Sequence, residues 1–210
     1  MHIHIKICGF TEPVGLQAAI DAGVDSIGLV LDPSPRQLTL DQAAVLAQQI
    51  PEGVDLVAVC GRPALAEVSA IAEGLAPKYI QLMADALPAP EHGFSIIPAF
   101  EDGKDLVERV AAYCRAQENP RPLVLADGPR PGSGVLADWN RVERIGASTR
   151  LMLAGGLSAE NVGEAILRMR PYGVDVSSGV ESAPGIKDPE KIRAFVAAVR
   201  RAEATLDGAA

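Results

Sequence analysis

At 210 residues the chain is long enough for one domain with a sizeable core and short for two. Hydrophobic residues make up 48% and charged residues 22%, the balance of a globular domain, and with aromatics at only 4% the core must be built from Ala, Val, Ile and Leu. A net charge of −8 argues against nucleic acid and anionic membrane surfaces as partners, yet leaves room for a small anion held by backbone N–H groups or a few arginines.

From the N-terminus onward, short β-branched runs alternate with Ala-rich stretches of helical period. Strands are expected at 3–7, 25–31, 54–59, 78–82, 94–99, 122–126, 150–154 and 173–177. Helices are expected at 12–23, 39–50, 63–74, 103–117, 136–145, 158–169 and 188–204. Gly23 is a natural C-cap for the first helix. Ser158 with Asn161, and Asp188 with Pro189, mark the starts of the last two.

The strands read as continuous apolar runs, as strands buried on both faces do. Eight βα units of this length imply an α/β fold, a single-domain (β/α)8 TIM barrel. An open doubly wound sheet is the alternative, weakened because no G-x-G-x-x-G follows the first strand. The fourth unit is reduced: "MADALPAPEHG" carries two prolines and has room for one helical turn at most. The barrel is expected over 1–203, with 204–210 a frayed C-terminal tail.

Three cysteines without a CxxC, and three histidines without an HExxH, give neither a disulfide framework nor a zinc site. The N-terminus lacks a basic leader and no apolar run is long enough to cross a bilayer, so the cytoplasm is the expected compartment.

The C-terminal strand ends of a parallel barrel form its active face. Cys8-Gly9 follows the first strand, Arg36 the second, Cys60-Gly61 the third, Gln81 and Met83 the fourth, and Asp127-Gly128 the sixth. Gly155 and Gly156 follow the seventh, and Ser177, Ser178 and Gly179 the eighth. Two small-residue loops at the seventh and eighth strand ends favour a phosphate, held by bare amides and a helix N-terminus. A thiol and a carboxyl across a pocket can serve as base and acid. Each also has a plain reading: Cys8 as a small buried hydrophobe, Asp127 as the first residue of an Asp-Gly turn, Arg36 as a solvated surface arginine.

The stretches "KICGFT", "SPRQLT", "IQL", "LVLADG" leading to "GSG" and "DW", "LAGGLSAENV" and "GVDVSSGVESAPGIKD" occur in this order over nearly the whole chain. Together they resemble phosphoribosylanthranilate isomerase, the third-step isomerase of tryptophan biosynthesis. The resemblance implies an Amadori rearrangement of N-(5-phosphoribosyl)anthranilate, with no metal or organic cofactor. By position, Asp127 would be the general acid on the ribose ring oxygen and Cys8 the base that takes the proton from C2. Arg36 would hold the anthranilate carboxylate. Gly155, Gly156, Ser177, Ser178 and Gly179 would hold the phosphate, while Asp175 with Gly132, Ser133 and Gly134 would complete the sugar side. The family includes monomers and homodimers.

The chain departs from the family pattern in three places. It reads "QLMA" where the family commonly has Gln-Leu-His-Gly, "AVCGRP" at the third strand end, and a single Gly132 where two glycines are common. A paralogous isomerase acting on another aminosugar phosphate, and a non-catalytic sugar-phosphate-binding barrel, are the alternatives. Lys6, two residues before Cys8 on the same strand, shares its face.

Overall fold

The computed structural model describes residues 1–88 and 95–208. Eight parallel strands close into a barrel in chain order. They are β1 (His4–Cys8), β2 (Ser26–Val30), β3 (Asp55–Gly61), β4 (Tyr79–Met83), β5 (Ile96–Glu101), β6 (Leu123–Asp127), β7 (Arg150–Leu153) and β8 (Gly173–Val176). The ring is sealed between β1 and β8, where Lys6 stands opposite Asp175 and Ile7 opposite Val176.

Among the described residues seven α-helices surround the barrel: α1 (Pro13–Ala22), α2 (Leu40–Ala47), α3 (Leu65–Leu75), α4 (Leu106–Arg115), α5 (Trp139–Gly146), α6 (Val162–Met169) and α7 (Pro189–Gly208). Strand alternation divides the side chains into two cores. Ile3, Ile5 and Ile7 face the helices and are fully buried there. The barrel interior is filled by a separate set that includes Val57, Ile97, Leu125 and Met152. Lys6 and Cys8 lie on the inward side of β1, which puts a fully buried ammonium one layer below a thiol at the mouth.

Two of the three expected helix-end signals hold. Gly23 adopts φ 80° and its N–H returns to Ala19 and Ile20, closing α1. Asp188 Oδ1 accepts from the N–H groups of Glu190 and Lys191, starting α7 with Pro189 in its first turn. The helix expected from Ser158 starts later, at Val162. Asn161 turns its side chain back, accepting from Ser158 N–H and donating to the Gly156 carbonyl, so 158–161 close the loop instead of the helix.

Two further expectations change. Within the tail expected at 204–210, residues 204–208 are helical: α7 continues through Gly208, with Leu206 packed on the core and Asp207 paired with the Met1 ammonium group, while 209–210 lie outside the described residues. The segment after β8, quoted above only as a motif, forms a 3₁₀ turn (Ser178–Val180) and a small hairpin of β9 (Glu181–Ala183) and β10 (Ile186–Lys187). Between β4 and β5, residues 84–88 hold a turn and no helix, and the rest of that reduced unit falls at 89–94, outside the described residues.

Candidate active site

The C-terminal strand ends enclose a cavity of about 220 Å³. Cys8, Arg36, Asp127 and Asp175 all line it, from β1, the loop after β2, β6 and β8. So do Gly132 and Gly134, Gly155 and Gly156, and Ser177 and Ser178. Two expected residues do not. The Ser133 hydroxyl turns away to the Arg130 carbonyl. Gly179 packs against the Leu157 carbonyl, where any side chain would collide. A glycine-rich stretch reveals that a loop approaches a ligand, but not which of its residues faces inward.

Two glycines permit the close approaches that shape the mouth. Gly155, at φ 80°, lies against Gly128, and a Cβ there would overlap the Gly128 amide. Gly9, at φ 83°, lies between Arg36 and Ser177, and a Cβ there would collide with Arg36 Cδ. The loops after β1, β2 and β8 therefore meet at a point with no room for a side chain.

Burial pushes the Asp127 carboxyl up to about 6, although its Oδ1 accepts from the Gly128 N–H. The group can therefore carry a proton close to neutrality. Burial also pushes the Cys8 thiol above its ordinary value, while the Lys6 and Lys187 ammonium groups pull the other way. Burial is the largest influence on Lys6 and opposes its charge, but the Asp175 carboxyl 2.8 Å away and the Cys8 sulfur together raise it above an ordinary lysine, while burial pushes Asp175 up as well.

Asp175 Oδ1 and Gln81 Oε1 are buried without a hydrogen-bond partner, and both residues line the cavity. Each brings an acceptor to the site for a ligand hydroxyl or N–H.

Arg36 is not a free surface arginine. Its Nε and Nη2 donate to the two carboxylate oxygens of Glu181 at 2.7 and 2.8 Å. A Cβ on Gly132 would lie 3.0 Å from Nη1, so this remaining edge faces the loop after β6. Sequence reasoning passed over Glu181 and its second partner, Lys187. The signal for them was indirect: an arginine that lines an active face and is buried needs a counter-charge, and Glu181 is the acid in "SSGVE". Cys60 is buried and its thiol is pushed up to about 12, chiefly by burial, which leaves it a packing residue. Among the described residues no three His, Cys, Asp or Glu side chains converge as metal ligands, and no helix is long and apolar enough to cross a membrane.

A closed parallel barrel with a protonatable carboxyl, a thiol and two small-residue loops at one mouth has the layout of a barrel enzyme that works by proton transfer on a small anionic substrate. The family model described as N-(5'phosphoribosyl)anthranilate (PRA) isomerase matches residues 5–198, and the chain belongs to that family. A curated N-(5'-phosphoribosyl)anthranilate isomerase of Listeria monocytogenes is 39% identical over 208 residues, covering 95% of this chain and 99% of that protein. The crystal structure of the phosphoribosyl anthranilate isomerase of Thermotoga maritima superposes with a TM-score of 0.84 at 28% identity, covering 95% of this chain and all of that one. A further solved isomerase, in complex with reduced 1-(o-carboxyphenylamino)-1-deoxyribulose 5-phosphate, gives a TM-score of 0.81 at 27% identity, with 95% of this chain and 100% of that one covered.

Proposed function

We propose that Asp127 and Cys8 are the acid and base with which this barrel carries out the isomerisation that defines its family. The reaction is the Amadori rearrangement of N-(5'-phosphoribosyl)anthranilate, a step of tryptophan biosynthesis. Protonated Asp127 gives its proton to the ribose ring oxygen as the C1–O bond breaks, leaving an open-chain Schiff base. The Cys8 thiolate removes the proton from C2. The resulting enolamine tautomerises to the aminoketose as C1 gains a proton.

The observation that carries this reading is the placement of both groups on one cavity, with Asp127 raised to about 6. An ordinary aspartate would hold its proton at neutral pH roughly a hundredfold less often and be a correspondingly poorer acid. The bare amides around Gly155 and Gly156, with the hydroxyls of Ser177 and Ser178, suit a phosphate. The free edge of Arg36 suits the anthranilate carboxylate, and Asp175 and Gln81 suit the sugar hydroxyls or the bridging N–H. Anchors at both ends hold the ribose between acid and base. The chemistry calls on no metal or organic cofactor, and the cytoplasm is the compartment of such a biosynthetic step.

Turnover of N-(5'-phosphoribosyl)anthranilate by the purified chain tests the assignment. Cys8→Ala and Asp127→Asn should each lose at least about 10²-fold in kcat, the usual contribution of a positioned acid or base. A folded variant that retains wild-type kcat removes that residue from the mechanism.

A further inference from the structure

Lys187 and Glu181 do not line the cavity, yet they join two residues that do. The Lys187 ammonium donates to Glu181 Oε1 at 2.8 Å, to the Ser177 carbonyl at 3.1 Å and to the Ser177 hydroxyl at 3.3 Å. Those contacts account for its three N–H donors. Glu181 in turn receives Nε and Nη2 of Arg36. The side chains of Lys187, Glu181 and Arg36 are 0%, 4% and 9% exposed. An unbroken chain of hydrogen bonds thus runs from Ser177, through Lys187 and Glu181, to Arg36.

Its position is fixed from every side. The Lys187 ammonium lies 5.6 Å from the centre of the Phe10 ring. A Cβ on Gly15 of α1 would lie 2.5 Å from Lys187 Cβ, so the base of the side chain is packed against that helix. The hairpin that carries Lys187 is tied to the loop after β1 by the Thr11 hydroxyl, which donates to the Gly185 carbonyl. The charges are unequal as well. Two cations share the Glu181 carboxylate, and burial lowers the Lys187 ammonium below an ordinary lysine while Glu181 opposes that shift.

We propose that Lys187 is a positioning residue that joins the two anion-binding ends of the site, holding the Ser177 loop and the Arg36 guanidinium in one frame through Glu181. This inference rests on the reading above that Ser177–Ser178 faces the phosphate and Arg36 the carboxylate. A lysine serving only the phosphate loop would have no need of Glu181. A glutamate serving only Arg36 would have no need of a fully buried ammonium bonded to Ser177. Loss of Lys187 should therefore disturb both ends together.

Inorganic phosphate and anthranilate, titrated separately by calorimetry, probe the ends one at a time. In Lys187→Met both dissociation constants should rise, each by about fivefold or more, the lower end of ordinary coupling between sites. KM for the whole substrate should rise by a larger factor than kcat falls. If either constant stays at the wild-type value in folded Lys187→Met, the proposal is overturned. Should that variant fail to fold, Glu181→Gln decides. It keeps the side-chain shape and an acceptor oxygen, and weakened binding of both probes supports the proposal, whereas unchanged phosphate binding refutes it. Arg36→Lys and Ser178→Ala check the underlying reading on their own. If Arg36→Lys leaves anthranilate binding unchanged, the placement of the carboxylate fails, while the two constants in Lys187→Met still decide the coupling.

Discussion

Lys6 and Asp175 face each other in register across the β1–β8 seam, and the Lys6 ammonium donates to Asp175 Oδ2 at 2.8 Å. The pair closes the barrel at the strand junction and lies one layer below Cys8. A buried ion pair is weak evidence for stability, but removing one partner leaves an uncompensated buried charge. Lys6→Met should therefore destabilise the protein by about 3–5 kcal/mol in urea unfolding. It should also raise the Cys8 pKa further, because Lys6 is the largest influence favouring the thiolate. The pH dependence of Cys8 alkylation by iodoacetamide measures this, and a Cys8 titration identical to wild type would refute the electrostatic role.

Asp127 should show the opposite balance between function and stability. Its pKa is raised on folding to about 6, so the native state binds its proton more tightly than the unfolded chain does. The stability it contributes is fully present below the unfolded aspartate value and is lost as pH rises through about 6. At pH 8 the buried carboxylate costs on the order of 2–3 kcal/mol. Asp127→Asn should thus be more stable than wild type at pH 8, by up to that amount, and close to it at pH 4. Calorimetric melts at the two pH values check this, and equal differences at both would contradict it.

The same two pKa directions shape the rate profile. The proposed mechanism needs Asp127 protonated and Cys8 ionised, whereas near pH 7.5 the predominant pair is the Asp127 carboxylate with the Cys8 thiol. The productive form is then a minority whose population is nearly flat between the two pKa values and falls outside them. A plot of kcat/KM against pH should be flat through the neutral range, with an acid limb near 6. In the proposed mechanism that limb reports Asp127 even though Asp127 is its acid. An acid limb that stays in place in Asp127→Glu would assign it to another group.

Much of the barrel could be read in the sequence, for definite physical reasons. Parallel strands buried on both faces leave uninterrupted apolar runs, and the caps at Gly23 and Pro189 are local signals. The strand-end rule picks out Cys8 and Asp127, the family resemblance adds Asp175, and all three line one cavity. What remained hidden depends on distance along the chain. The Arg36–Glu181 pair spans 145 residues, and no local pattern announces it. Ser133 and Gly179 do not line the cavity, because facing is decided by loop dihedrals. The helix expected from Ser158 was delayed for a similar reason: the Asn161 side chain served the preceding loop. The tail misled in the opposite sense, since "ATLDG" looks weak in isolation and is held by partners at the other end of the sequence.

That hold extends beyond one contact. Glu203 on α7 accepts from the Ile3 N–H at 2.7 Å, and Arg200 donates to the Ile3 carbonyl at 2.9 Å. Asp25 adds its own contacts, to the Ile5 N–H at 2.7 Å and to Arg200 at 3.3 Å. The last helix thus acts as a buckle across the first strand, so the circle of strands is fastened a second time from outside. Cys8 lies on that strand. The thiol at the mouth of the barrel therefore belongs to a strand that is clasped at its other end by the last helix.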